Sequence, residues 1–89
     1  MWRNTGHCNT ALGHNALRYN TSGIRNTVIG FQSLYSNTTG MNNVAVGNSA
    51  GRYIANGSTA NQTSGTSVYI GGNAKALADG GANETNARL

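Results

Sequence analysis

The chain repeats nearly the same phrase at a fixed spacing, and this constrains its fold more than any other feature. NTALG, NTVIG, NVAVG and SVYIG begin at Asn9, Asn26, Asn43 and Ser67. Gly13, Gly30 and Gly47 stand 17 residues apart, and Gly6, Gly23, Gly40 and Gly57 form a second series with the same step. Self-similarity of this kind belongs to arrays in which one small unit cannot bury a core alone and is stable only when stacked on its neighbours. The copies are read as 9–25, 26–42 and 43–59, with 1–8 as the end of a preceding copy. The next phrase glycine, Gly71, follows Gly47 by 24 residues instead of 17. The seven extra residues are assigned to a polar loop within 58–66, after which 67–83 resumes the pattern. At 84–89 only a partial copy is expected, because Arg88 stands where the phrase glycine should be. Residues 1–89 thus form one repeat domain.

Each copy is written for short strands and tight corners. Apolar, often β-branched triplets lead into glycine, and NTSG and NTTG are turn sequences. Two short strands and two corners fit one 17-residue coil, so the expected class is all-β, a parallel β-solenoid. Stacked coils place equivalent residues about 4.8 Å apart, and each sequence column becomes a ladder. Leu12, Ile29, Val46 and Ile70 are the consistently large aliphatic column and are expected to form the inner core. Thr10, Thr27, Val44 and Val68 share their strand face, which leaves Ala11, Val28, Ala45 and Tyr69 facing the opposite way. Gly13, Gly30, Gly47 and Gly71 are expected at corners with positive φ or close backbone approach. Asn9, Asn26 and Asn43 are placed to stack their amides.

Composition adds a constraint on assembly. Leu, Ile, Val and Phe number 14 of 89 residues, below what an ordinary independent domain carries. Yet charged residues make up only 9%, whereas disordered chains are usually charge-rich. Several chains sharing one core would reconcile the two facts. The net charge of +4 arises because Asp79 and Glu84 alone oppose six dispersed bases. With no basic run, nucleic acid is disfavoured as a partner. There is no apolar run long enough for a membrane span and no signal-peptide pattern in the sequence. Cys8 is the single cysteine and cannot form a disulfide within the chain.

The strings NTALGHNALRYNTSG and NTVIGFQSLYSNTTG resemble the repeats of bacteriophage tail-fibre proteins. Their core phrases are similar to the head repeats of trimeric autotransporter adhesins. SVYIGGNAKALADGGANE resembles the closing repeat that precedes a chaperone domain in such fibres. The resemblance covers roughly residues 4–84. It implies left-handed β-roll coils, a homotrimer, and location in a virion tail fibre or on an extracellular surface, in contact with other fibre segments. TNARL departs from the family pattern, which expects an apolar-Gly strand there.

Chemistry-bearing residues are few. His7, Cys8 and His14 match no zinc spacing, and His14 also reads simply as a surface or interface residue. The two acids share no repeat position and offer no acid–base pair, so no enzyme, cofactor or metal is expected. The glycines follow neither GxGxxG nor a Walker pattern, and the Asp needed by calcium-binding rolls does not recur. Arg18, Tyr35 and Arg52 share one column, next to Trp2, Tyr19 and Tyr53. Such a stripe can contact a bacterial surface glycan, or its rings can cover a coil edge or fill a seam between chains. The expected function is a structural, adhesin-like segment of a trimeric tail fibre or similar surface fibre that supports host attachment. An ice-binding β-solenoid is the alternative, weakened because Thr10 and Thr27 give way to Val44 and Val68.

Overall fold

A computed structural model describes residues 6–53, 61–63 and 65–75, together with the backbone of 85–87. The described residues contain no helix. They form five three-residue strands: β1 (Thr10–Leu12), β2 (Thr27–Ile29), β3 (Val44–Val46), β4 (Val68–Ile70) and β5 (Thr85–Ala87). These make one sheet in chain order, with every neighbouring pair parallel. An all-parallel sheet whose order follows the sequence is compatible with a β-solenoid.

Register follows the repeat. Thr10 faces Thr27, Thr27 faces Val44, and Val44 faces Val68. The fifth strand also keeps step, with Val68 opposite Thr85 and Ile70 opposite Ala87. The partial copy expected at 84–89 thus contributes a strand in phase. Backbone pairing requires only an extended segment in phase, and TNA supplies one although its side chains depart from the phrase. Gly57, Gly81, Glu84 and Arg88, as well as Trp2 and Arg3, lie outside the described residues.

Corners bond between repeats as the strands do. The Leu17 amide donates to Ser33 O at 3.0 Å, Leu34 to Ala50 O at 2.8 Å, and Gly51 to Ala74 O at 2.7 Å. Gln32, Ser49 and Asn73 donate in the same way to His14, Phe31 and Asn48. Left-handed backbone recurs by column: Cys8, Arg25, Asn42 and Thr66 have φ of 62°, 57°, 61° and 51°, and Asn15, Gln32, Ser49 and Asn73 have 59°, 56°, 58° and 59°. Such a conformation costs a non-glycine residue roughly 1–2 kcal/mol. It persists here because each corner must match the carbonyls and amides of the copies beside it.

The side of the strands that faces inward is the reverse of the sequence expectation. Val28, Ala45 and Tyr69 are fully buried, whereas Leu12, Ile29, Val46 and Ile70 lie on the outer face. Thr10, Thr27 and Val44 are likewise exposed. The interior is narrow: Ala16, Leu17, Leu34, Ala50 and Ala74 complete its apolar cluster. Size is balanced between columns rather than within them. Tyr69 stands where other copies have Ala11, Val28 and Ala45, and Gly51 stands where others have Leu17 and Leu34. A Cβ on Gly51 would lie 2.8 Å from a Tyr69 ring carbon and 2.9 Å from a Leu34 methyl. The glycine makes room for the ring.

Hydrogen bonds also relocate the insertion. Thr21 N donates to Thr38 O, and Thr38 N donates to Gln62 O, at 3.0 and 2.8 Å. Asn61 is 1% exposed, like Asn20 and Asn37 at 0% and 1%. Asn42 N donates to Ile24 O, and Thr66 N donates to Met41 O. Register is therefore restored by Asn61, and the seven residues without a counterpart are 54–60, not a set drawn from 58–66. Residues 54–60 themselves lie outside the described residues. A misleading match caused the difference, since Gly57 falls 17 residues after Gly40.

Two deletions of equal length separate these registers. Removal of 54–60 retains Asn61 and is expected to leave the thermal midpoint nearly unchanged, because a short excursion closes at little entropic cost. Removal of Ser58–Ser64, seven residues of the loop expected within 58–66, puts Ile54 in place of Asn61. It leaves Gly51 O without the donor it now has at 2.9 Å. Losing a buried partner costs about 1–3 kcal/mol, so its midpoint should fall by roughly 5–20 °C relative to the first deletion. Equal midpoints in parallel melts followed by circular dichroism would refute the reassigned register.

Candidate functional site

Two surfaces carry side chains in a pattern that can act on a partner. The first is the outer face of the sheet. A three-residue strand points its middle side chain inward and its two flanking ones outward. The phrase therefore lays Leu12, Ile29, Val46 and Ile70 in one exposed row. Their exposures are 67%, 40%, 36% and 42%. Val44 lies beside them at 36%. Phe31, just past the corner glycine, is also exposed and stacks on the His14 ring at 5.6 Å between centroids. Isolated surface hydrophobes need no explanation, but a contiguous row of large aliphatics marks an interaction face. As a single-chain core this column is excluded; as a contact face it is continuous across the first four strands.

The corner glycines end this face, and here the sequence expectation agrees with the backbone. Gly13, Gly30, Gly47 and Gly71 have φ of 125°, 126°, 130° and 110°. These values are outside the small left-handed region open to other residues. The glycines also stack against each other: a Cβ on Gly30 would lie 2.6 Å from Gly47 O, and one on Gly13 would lie 2.8 Å from Gly30 O. Both conformation and space require glycine.

The second surface is the arginine–tyrosine stripe. The Arg52 guanidinium lies 4.3 Å from the centre of the Tyr35 ring and 4.7 Å from that of Tyr53. One of its terminal nitrogens donates to Gln32 Oε1, and its Nε is enclosed by protein. Tyr35 in turn meets Tyr19 edge to face at 5.1 Å, and Arg18 lies 5.3 Å over Tyr19. Five residues from three successive copies thus form one connected chain, Arg18–Tyr19–Tyr35–Arg52–Tyr53. Tyr35 and Arg52 of the expected column meet directly, and Arg18 joins them through Tyr19. Gln32 was not foreseen, because it lies three positions from Tyr35 and only the positive-φ corner turns it toward Arg52.

Other candidates do not assemble. Among the described residues no three His, Cys, Asp or Glu side chains gather closely enough to hold a metal ion. Cys8 is exposed and free, and no helix of the described residues is long and apolar enough to cross a membrane. Comparison with family models, curated proteins and solved structures gives no match.

Gly30→Val tests the corner geometry. The substituted residue would need both a disallowed φ and displacement of the Gly47 carbonyl, so a loss of about 3 kcal/mol or more is expected. Urea denaturation should show the lower midpoint. An unchanged midpoint would mean that this corner can adopt an ordinary backbone.

Proposed function

We propose that the protein is a structural and interaction segment of a homotrimeric fibre, a phage tail fibre or a similar extracellular surface fibre that supports host attachment. The observation that carries this reading is the exposed row Leu12, Ile29, Val46 and Ile70. Each chain already has a narrow interior of its own, so the row is not needed to fill it. Packed against the same row on two other chains, these aliphatics would leave water at roughly 25 cal/mol per Å² of apolar surface. Association would thus add the core that the composition withholds from one chain. The threefold number, the 17-residue left-handed coils and the location in a virion or on a cell surface come from the resemblance of the repeats to phage tail fibres and adhesin heads.

The role is mechanical rather than catalytic. Parallel ladders tie each copy to the next by backbone hydrogen bonds, which makes the stack stiff along its axis. Symmetry then presents three copies of every surface feature in parallel, and weak contacts add through effective concentration. Other segments of the fibre would be positioned by this stack.

The test is the mass of the protein in solution. One chain is 9.2 kDa, and light scattering coupled to size exclusion is expected to give about 28 kDa for three chains. Ile29→Asp would bury a carboxylate at the contact at a cost of several kcal/mol and should abolish that mass. A monomeric wild-type protein, or an Ile29→Asp protein that keeps the three-chain mass, would overturn the reading.

A further inference from the structure

We infer that the Arg18–Tyr35–Arg52 stripe is a binding site for an acidic polysaccharide with sparse, regularly spaced carboxylate or sulfate groups. The inference rests on the fibre reading only for its threefold multiplication; the site itself lies within one chain.

The chemistry of Arg52 carries the argument. A guanidinium held between two tyrosine rings and hydrogen-bonded to Gln32 has lost its rotamer freedom before any ligand arrives. It has five N–H donors in a rigid fork. Gln32 engages a terminal nitrogen and protein encloses Nε, while the residue as a whole remains partly exposed. Remaining terminal N–H groups on a preorganised, partly exposed guanidinium suit an oxyanion. The sequence as a whole is poor in counter-charge, with two acids against six bases. The exposed portion of Tyr19, at 38%, adds an apolar ring surface suited to the C–H face of a sugar.

Spacing selects the polymer. Arg18 and Arg52 are two repeats apart with Tyr35 between them, so their backbones are separated by about 9.6 Å, twice the interstrand step. A nucleic-acid strand carries a charge every ~3.4 Å of duplex axis and would meet only a small part of its charge here. Arg52 also takes up one face of the Tyr35 ring and one of the Tyr53 ring, which reduces the ring surface open to stacked bases. The Arg52 guanidinium reaches back over Tyr35, so the stripe offers two arginines interleaved with tyrosines, which suits a sparsely charged polysaccharide better than a densely charged strand.

The test uses the full 89-residue chain with three probes: hyaluronan oligosaccharides, which carry one carboxylate per disaccharide, neutral dextran, and oligodeoxythymidine. Calorimetry at low salt is expected to show hyaluronan binding, no dextran binding and weaker oligonucleotide binding. Arg52→Gln and Arg18→Gln should each weaken hyaluronan binding about tenfold or more. Arg52→Lys should do nearly the same, since an ammonium lacks the planar fork. Arg25→Gln removes the same charge from an exposed position outside the stripe and should change binding less than about twofold. Light-scattering mass and melting midpoint are recorded for every variant, so that loss of folding or assembly is separated from loss of the site. Absence of hyaluronan binding by wild-type protein of three-chain mass would overturn the site and leave the fibre reading standing. Equal losses in Arg25→Gln and Arg52→Gln, or tighter binding of oligodeoxythymidine than hyaluronan, would overturn it in favour of unspecific polyanion attraction.

Discussion

Buried asparagine amides take the place that large hydrophobes hold in most small domains, and the other features of the stack are arranged around them. Asn9 Oδ1 accepts from the Asn26 backbone N–H at 3.0 Å, Asn26 Oδ1 from Asn43 N at 3.1 Å, and Asn43 Oδ1 from Ser67 N at 3.2 Å. On the other side, Asn26 and Asn37 Nδ2 both donate to Gly40 O, at 3.0 and 3.1 Å. Gly23 O is shared in the same way by Asn9 and Asn20, each at 2.9 Å. Asn9 and Asn26 therefore each close their own turn and also bond to the copy beside them. Unpaired buried amides would cost on the order of 1–3 kcal/mol each, so the arrangement favours only states in which neighbouring copies are in register. It also explains glycine in the column of Gly6 and Gly23, where a Cβ would strike the carbonyl of the next copy.

Much of this was legible because the period is written in residues that have few conformational alternatives. Gly13, Gly30, Gly47 and Gly71 recur where the backbone admits only glycine, and Asn9, Asn26 and Asn43 recur where an amide has two obligations. The assignment of inside and outside was not legible, and the cause is physical. Alternation along a strand of three residues separates two faces but does not say which is buried. Choosing the column of larger aliphatics assumes a wide core, whereas Val28 and Ala45 show a narrow one, largely filled by small side chains and amides. One signal did point inward: the paired exceptions Tyr69 and Gly51, which depart from their columns in opposite directions of size. Two columns that compensate each other in volume must share a space.

The insertion misled for a related reason. Glycine is the most visible marker of this repeat, and Gly57 preserves its spacing by coincidence. Asn61 is the better marker, since a buried amide must find donors and acceptors in register, while a glycine can stand in many surface contexts. The continuation at β5 makes the same point from the other direction. Thr85–Ala87 keeps the backbone ladder without the phrase, because interstrand hydrogen bonds depend on phase and extension more than on side-chain identity. Residues with polar obligations define the register, and those without them drift.

A narrow polar interior has a consequence for function as well as for fold. With the backbone and amides holding the copies together, the outward side chains are released from any role in the single-chain core. They can then be written as columns of one chemistry. The outer sheet face became aliphatic, through Leu12, Ile29, Val46 and Ile70, and the corner beyond Leu17 and Leu34 became cationic and aromatic, through Arg18, Tyr35 and Arg52. Both surfaces gain from the same period, since a ladder of about 4.8 Å per copy turns one favourable residue into a row of contacts. In the proposed fibre the first row would face other chains and the second an acidic glycan. Their separation on the stack allows either one to change without disturbing the amides that hold it together.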